Sequence, residues 1–214
     1  MVKAIAFDFW GTLMQQGVKP SPLRQAQQIL RVKIPFASFV LLFEQAFMTR
    51  SFNDLYEAFS NVCKAFNKTA RKQLLDKLVG MWNKNTLLAK PFPDVVQALQ
   101  DLSKDYDLAL ITNTDNFSVP SIVQKYDLAK YFKTIIYSFE TGFLKANKEI
   151  FSLLVEKLGL KPEQVLMVGD TIQSDVNIAL QAGLKAVLMD RKNLRDYKPK
   201  VTNMQELQEF VKTV

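Results

Sequence analysis

Polar side chains follow four short apolar segments of the chain, and each of these segments is typical of a buried strand. The residues are Asp8, Thr112, Lys145 and Asp170, with Asp175 five positions further along. Because the carboxyl ends of parallel strands meet at one edge of a sheet, where open α/β sheets bind their ligands, we expect these groups to converge. A carboxylate such as Asp8, directly after a buried strand, is poorly placed for packing and well placed for chemistry.

Taken one at a time, these residues have ordinary structural explanations. Asp170 and Asp175 could cap the N-terminus of a helix, and a lone Lys145 would be a surface lysine. The chemistry they could perform together is limited, because the chain contains no histidine. This excludes Ser-His-Asp and Cys-His catalysis and most catalytic zinc sites, so acid–base chemistry must use carboxylates, Lys, Tyr or water.

The elements that would position these groups alternate between strand and helix from residue 94 onward. Strands are predicted over 108–111, 134–137, 165–168 and 186–189, and helices over 95–102, 119–126, 150–158, 176–181 and 204–213. Strands that alternate with helices of this length form a parallel sheet covered on both faces. We therefore predict an α/β fold whose core is a Rossmann-like parallel sheet.

Residues 14–90 have a different pattern, in which apolar residues recur at the spacing of an α-helix. The clearest run is Phe36, Phe39, Val40, Phe43 and Phe47. Four helices are predicted in this segment, and the proline-rich residues 90–93 that follow it are predicted to be a linker. We predict an all-helical cap subdomain over residues 14–90, inserted into a core formed by residues 1–13 and 91–214.

The net charge of +7 comes from this helical segment alone. Residues 14–90 contain 12 Lys or Arg and 4 Asp or Glu, whereas the remainder contains 16 and 17. No basic helix carries side chains suited to reading bases, so we expect no nucleic-acid partner. The basic segment is interpreted either as an electropositive wall around a small anionic substrate or as a lysine-rich solvated surface.

Cysteine content and hydropathy indicate where the protein works. The single Cys63 allows no internal disulfide and fits a reducing compartment. The chain has no apolar run of 18 residues and no basic segment ahead of one, so we expect neither a signal peptide nor a membrane partner. These features predict a soluble, cytoplasmic protein, and nothing in the chain indicates an oligomeric state.

Four segments, in order, resemble the motifs of the haloacid dehalogenase-like (HAD) hydrolase superfamily. They are Asp8-Phe9-Trp10-Gly11-Thr12, Leu110-Ile111-Thr112-Asn113, Gly142-Phe143-Leu144-Lys145-Ala146 and the stretch 168–175 with its two aspartates. Ala146 stands where the family usually has proline. The resemblance covers essentially the whole chain, including a helical insertion after the first motif, and it implies a hydrolase.

The resemblance also implies a role for each motif residue. Asp8 would be the nucleophile that forms a covalent aspartyl intermediate. Thr112 and Asn113 would bind the substrate, and Lys145 would neutralise both the nucleophile and the group being transferred. Thr12 belongs with Asp8, Thr112 and Lys145 to the implied catalytic set.

The implied metal is Mg²⁺. Asp8, Asp170 and the backbone carbonyl of Trp10 would hold it through hard oxygen atoms, and Asp175 would fix the ligands or waters around it. The implied function is a Mg²⁺-dependent phosphatase that acts through an aspartyl-phosphate. Its substrate would be a small anionic phosphate ester or an acyl phosphate.

Trp10 departs from the family pattern. Phosphatases of the family usually have a second aspartate there, which protonates the leaving group and then activates water. An indole transfers no proton, and losing the general acid costs about 10²- to 10⁴-fold on a poor leaving group. We expect Trp10 to contact the substrate, and we expect either a good leaving group or a proton supplied by a cap residue or water.

Trp10 also leaves two alternatives open. Family dehalogenases carry an aromatic residue at this position and need no metal, so a metal-independent 2-haloacid dehalogenase is the first. They typically have serine in place of Asp170 and tyrosine in place of Phe151, and Asp8 and Asp170 would repel each other without a cation. The phosphatase is therefore preferred. The second alternative is a HAD-fold binding or regulatory protein whose turnover has weakened.

Overall fold

The computed structural model describes all 214 residues. Eight strands occur along the chain: β1 (Ala4–Phe7), β2 (Met14–Gln15), β3 (Lys90–Pro91), β4 (Asp107–Thr112), β5 (Thr134–Tyr137), β6 (Val165–Gly169), β7 (Lys185–Met189) and β8 (Lys200–Val201). Six of them form one sheet in the order β5-β4-β1-β6-β7-β8, and every neighbouring pair is parallel. The predicted α/β class with a parallel, Rossmann-like sheet is confirmed.

Strand β1 lies inside the sheet because both of its faces are apolar. Ala4 and Ala6 point to one face, Ile5 and Phe7 point to the other, and all four are fully buried. Parallel register places Phe7 opposite Val168 of β6. The residues that follow β1, β4 and β6 therefore leave the sheet side by side, at its carboxyl edge.

Ten α-helices accompany the strands. They are α1 (Pro22–Leu30), α2 (Phe36–Phe47), α3 (Leu55–Ala65), α4 (Lys72–Leu88), α5 (Val95–Leu102), α6 (Ser118–Lys125), α7 (Ser138–Thr141), α8 (Glu149–Leu158), α9 (Ile178–Gln181) and α10 (Met204–Val211). Apolar residues of α5, α6 and α10 cover one face of the sheet, and those of α8 and α9 cover the other. The sheet with its covering helices is the sheet core. None of the helices is long and apolar enough to span a bilayer.

Helices α1 to α4 pack together as a separate helical bundle. Its interior is aromatic: Phe43, Phe47 and Phe59 are fully buried, and Trp82 is 5% exposed. The ring centroids of Phe47 lie 4.8 Å from Phe59 and 4.9 Å from Trp82, which is the range of favourable aromatic pairs. The four helices predicted for the cap are thus present, and the division of the chain at residues 13 and 91 stays a prediction.

A two-stranded antiparallel ribbon joins the helical bundle to the sheet core. Strands β2 and β3 pair Met14 with Pro91 and Gln15 with Lys90. The sequence predicts only a linker at residues 90–93, because two-residue strands are too short to show a period. The chain therefore enters and leaves the bundle at one place.

Three other elements differ from the sequence prediction. Helix α7 and strand β8 are not predicted, since each is too short to show a pattern. Residues Ile172–Asn177 form a π-helical segment directly ahead of α9, so the helix predicted over 176–181 begins four residues earlier. Single π-helical turns occur frequently at functional sites, and this one carries Asp175.

Candidate active site

A cavity of about 620 Å³ lies at the carboxyl edge of the sheet, between the sheet core and helices α1, α2 and α4. The structure places six of the eight predicted site residues on its wall: Asp8, Trp10, Thr112, Asn113, Lys145 and Asp170. Asp175 lies behind this wall, in contact with Lys145. The cavity is at the edge where parallel sheets bind ligands.

Lys145 is a buried cation held between two carboxylates. Its ammonium contacts Oδ1 of Asp8 and lies 2.6 Å from Oδ1 of Asp175. Burial alone lowers the pKa of Lys145, but the charges of Asp175 and Asp8 outweigh burial, so the pKa is raised. Lys145 is therefore a fixed positive charge beside Asp8.

Asp170 adds a third carboxylate to the two that contact this cation. Oxygen atoms of Asp8, Asp170 and Asp175 lie within 4.8 Å of one another. Burial raises the pKa of Asp8 to about 7; Lys145 opposes that shift, and Asp175 and Asp170 add to it. Burial, followed by the charge of Asp175, also raises the pKa of Asp170. Because one lysine does not balance three carboxylates, the donor set fits a hard divalent cation such as Mg²⁺.

The backbone around the carboxylates allows their close approach. Gly11 has a φ of +79°, and a Cβ at this position would lie 2.2 Å from Oδ2 of Asp170. A Cβ at Gly169 would lie 2.4 Å from the Asp175 side chain. Oδ2 of Asp175 accepts a hydrogen bond from the backbone N–H of Thr171 at 2.9 Å, which fixes the π-helical segment against the loop. Both glycines are thus required by the cluster.

We expect Gly169→Ala to displace Asp175, because the new methyl group and that side chain would occupy the same space. Mg²⁺ affinity should fall about 10- to 100-fold, the usual effect of disturbing a residue that orients metal ligands. Isothermal titration calorimetry with Mg²⁺ measures the affinity of both proteins. Gly80→Ala is the control, since Gly80 is exposed on α4 with no atom near its added Cβ. Unchanged affinity in Gly169→Ala would show that Asp175 does not organise the cluster.

Asn113 connects the two sides of the cavity. Its Oδ1 accepts a hydrogen bond from the backbone N–H of Lys145 at 2.8 Å, and its Nδ2 donates to Oε2 of Glu44 at 2.8 Å. Thr112, its neighbour at the end of β4, is 1% exposed and lines the same wall. Glu44 is not predicted as a site residue. The available signal is that it is the only charged residue of α2, an otherwise largely apolar helix.

Trp10 forms part of the cavity wall on the sheet-core side. Its ring is half-buried and packs edge-to-face on Phe9, with 5.1 Å between centroids and an interplanar angle of 86°. Trp10 therefore places an indole ring at the position where phosphatases of the family usually have a second aspartate. A contact between this ring and the substrate stays a prediction.

Thr12 lies outside the cavity. It is fully buried, and its hydroxyl group has no hydrogen-bond partner. Its backbone carbonyl accepts a hydrogen bond from Nη2 of Arg191 at 2.8 Å, and Arg191 is also paired with Asp94 at 2.7 Å. Thr12 is therefore buried in the sheet core, away from the cavity. This geometry does not support the catalytic role expected for it.

The wall formed by the helical bundle is not electropositive. Apolar side chains such as Phe36, Val40 and Trp82 dominate it, and its one charged residue is Glu44. Basic side chains of the segment such as Arg24, Arg31, Lys33 and Arg50 are exposed and line no part of the cavity. Their charged groups need hydration and lie on the outer faces of the bundle. The expectation of a basic wall is wrong, and the solvated surface is what the structure has.

Comparison with known proteins places this site in a family. A family model for haloacid dehalogenase-like hydrolases matches residues 2–183. Glyceraldehyde 3-phosphate phosphatase from Methanothermobacter thermautotrophicus is 31% identical over 200 residues, covering 89% of this chain and 86% of the relative. Phosphoglycolate phosphatase from Escherichia coli K12 is 31% identical over 117 residues, covering 54% of this chain and 45% of the relative. The chain thus matches about half the length of that second protein.

The fold is shared with solved structures named as a phosphatase, from Thermococcus onnurineus, and as a dehalogenase. L-2-haloacid dehalogenase from Xanthobacter autotrophicus superposes with a TM-score of 0.69 over 99% of each chain, at 18% identity. A likeness at this identity shows the fold alone and leaves the reaction open. The family model, in contrast, covers most of the chain, including all four motif segments. The chain belongs to the haloacid dehalogenase-like hydrolase family.

Proposed function

We propose that this hydrolase is a Mg²⁺-dependent phosphatase that acts through an aspartyl-phosphate. The observation that carries the proposal is the cluster of three carboxylates, two of which contact one buried lysine. The curated relative that is named as a glyceraldehyde 3-phosphate phosphatase matches nearly the whole chain and supports the same chemistry. The proposed substrate is a small anionic phosphate compound that fits a cavity of about 620 Å³.

Each residue of the cavity edge has a proposed part in the reaction. Asp8 attacks phosphorus, and Lys145 balances the charge on its carboxylate and on the transferred group. Thr112 and Asn113, at the end of β4, bind the phosphoryl oxygens. A bound Mg²⁺, held by Asp8, Asp170 and the carbonyl of Trp10 with Asp175 beside them, would neutralise the phosphoryl oxygens.

A metal-independent 2-haloacid dehalogenase is the second candidate, and Trp10 is the observation that favours it. The charge balance of the site opposes it. Without a cation, Lys145 would leave two negative charges uncompensated in a cluster whose oxygen atoms lie within 4.8 Å. Phe151, which is fully buried among apolar side chains, also stands where dehalogenases of the family usually carry tyrosine. We therefore place phosphatase first.

One assay with purified protein separates the candidates. We expect phosphate release from p-nitrophenyl phosphate in Mg²⁺ and none once EDTA has removed the metal. The nitrophenolate group leaves without a general acid, so Trp10 does not mask a phosphatase in this assay. Chloride release from 2-chloropropionate in EDTA would establish the dehalogenase instead. A protein that releases neither product but binds phosphate would be the weakened binding or regulatory protein.

We also propose that the protein acts on small molecules in the cytoplasm, with no nucleic acid as partner. Cys63 is buried and unpaired, as is usual in reducing compartments. The cavity at the edge of the sheet is closed in by apolar side chains of the helical bundle and has the size of a small-molecule site.

A further inference from the structure

Departure of an alkoxide from phosphorus needs a proton donor, and Trp10 does not supply one. The titratable groups that line the cavity are Asp8, Glu44, Asp115, Lys145 and Asp170. Asp8 is the proposed nucleophile, and Asp170 is a proposed metal ligand. Lys145 is fixed as a cation between two carboxylates. The donor must therefore be Glu44, Asp115 or water.

Asp115 is fully occupied by the fold. It is buried, and four donors hydrogen-bond to its carboxylate. Oδ1 accepts from the backbone N–H groups of Phe117 and Ser118 at 2.9 and 2.8 Å, and Oδ2 accepts from Ser118 Oγ at 2.6 Å and Trp82 Nε1 at 3.0 Å. Both oxygens are engaged in joining α6 to the helical bundle, so Asp115 is not available to a substrate.

Glu44 is held differently, by one oxygen only. Its Oε2 accepts the hydrogen bond from Asn113, and its Oε1 makes no hydrogen bond with the protein. The same Asn113 holds the loop of Lys145, so Glu44 is fixed relative to the cation beside Asp8. Glu44 therefore reaches from the helical bundle to the edge where phosphoryl transfer is proposed, with one oxygen free.

The surroundings of Glu44 favour a proton on its carboxyl group near neutral pH. Burial raises the pKa of Glu44 to about 7. The hydrogen bond from Asn113 and the charge of Lys145 oppose this shift, and the charge of Asp175 adds to it. No other charged residue lies on α2. A group that gains and loses its proton near pH 7 suits general acid–base catalysis.

We propose that Glu44 is the general acid and then the general base of the phosphatase reaction, in place of the aspartate that Trp10 replaces. As the Asp8 oxygen bonds to phosphorus and the bond from phosphorus to the leaving oxygen breaks, the Glu44 proton moves to that leaving oxygen and an alcohol departs. Water then attacks the phosphorus of the aspartyl-phosphate and gives its proton to Glu44. The Asp8 carboxylate and hydrogen phosphate are released, and Glu44 is again protonated.

This assignment rests on the proposed phosphatase function and is tested with two substrates of similar shape. Benzyl phosphate has an alkoxide leaving group, whereas p-nitrophenyl phosphate has one that needs no proton. Glu44→Gln should lower kcat/KM for benzyl phosphate by about 10²- to 10⁴-fold and for p-nitrophenyl phosphate by less than about tenfold. A glutamine oxygen still accepts the hydrogen bond from Asn113, so the variant removes the proton and keeps the contact.

Asp76→Asn is the matched control. It replaces one carboxyl group by an amide, as Glu44→Gln does, but on the outer face of the helical bundle, where Asp76 pairs with Lys72 at 2.9 Å. Both kcat/KM values of this variant should equal those of wild type. A similar drop in the control would show that loss of any carboxyl group of the bundle has this effect, and it would overturn the assignment.

A pH profile gives the second readout. The ratio of kcat/KM for benzyl phosphate to that for p-nitrophenyl phosphate cancels the ionisation of groups that serve both substrates. In wild type the ratio should fall as pH rises above about 7 and Glu44 loses its proton; in Glu44→Gln it should be flat. Equal losses on both substrates, or a wild-type ratio without pH dependence, would overturn the role of Glu44 and leave the proposed phosphatase function standing. A wild type inactive on both substrates in Mg²⁺ would overturn the phosphatase, and this assignment with it.

Discussion

Asp8→Asn is expected to lower kcat for p-nitrophenyl phosphate by about 10⁴-fold or more, because an amide oxygen does not form the covalent intermediate. The unfolding temperature should not fall. Burial, with the charges of Asp175 and Asp170, raises the pKa of Asp8 to about 7 despite the opposing charge of Lys145, so the charged form of Asp8 is disfavoured in the folded protein and removing the charge is not costly. The two results together separate loss of the nucleophile from loss of the fold.

Steady-state assays and thermal unfolding of the same preparation measure both effects. Asp105→Asn, which changes an exposed carboxylate of the sheet core, should leave both quantities as in wild type. Phosphate labelling provides a direct check, since the acid-stable fraction labelled after rapid quenching should disappear in Asp8→Asn. Retention of the label or of activity would remove Asp8 as the nucleophile.

Lys145→Met is expected to affect both activity and stability. Without the ammonium, nothing in the protein balances the charge of Asp8 and Asp175, and breaking a buried pair in this way costs about 3–5 kcal/mol. The charge that develops during phosphoryl transfer also loses its partner, which costs about 10²- to 10³-fold in kcat. Urea unfolding in EDTA measures the first effect, and p-nitrophenyl phosphate turnover measures the second.

The pKa of Asp8 determines how the stability of Lys145→Met depends on pH. The pKa of Asp8 is already raised to about 7, and removing Lys145 raises it further because Lys145 favours the charged form. Lowering the pH below 7 therefore neutralises Asp8 and relieves the repulsion. The stability difference between wild type and Lys145→Met should narrow from pH 8 to pH 5. Lys148→Met, at an exposed lysine three residues away, should show no pH-dependent difference. A difference that stays constant with pH would mean that Lys145 contributes packing and not charge.

Much of this architecture is readable from the sequence because its signals are periodic. Buried strands such as β1 and β6 are short apolar runs that end in a polar residue, and helices such as α2 repeat every three or four residues. Asp8 and Asp170 are found in the same way, because parallel topology brings strand ends together. Lys145 and Asp175 lie beyond their strands, in or after helical segments, and are identified only through the motifs that they resemble. The short elements β2, β3, α7 and β8 carry no period and are found only in the structure.

The partners across the cavity depend on how the helical bundle sits on the sheet core. Glu44 meets Asn113 over a sequence separation of 69 residues, which no local pattern encodes. The basic residues of the bundle are the reverse case, in which the sequence suggests a feature of the cavity that the structure does not have. Their number is evident from composition, but their position on outer faces depends on which side of each helix the aromatic core occupies. Thr12 shows that membership of a motif does not by itself place a side chain in a site.

The β2–β3 ribbon makes the helical bundle an exchangeable module. Gln15 and Lys90 are cross-strand partners, so a two-residue turn could join them and close the ribbon as a hairpin. Everything between these positions could then be deleted, or replaced by another insert, without changing the order of strands in the sheet. Variation could thus redesign the wall facing the substrate, Glu44 included, while the carboxylates and Lys145 remain on their own scaffold. Replacement of the insert at this ribbon would change which substrates the site accepts and keep the same reaction.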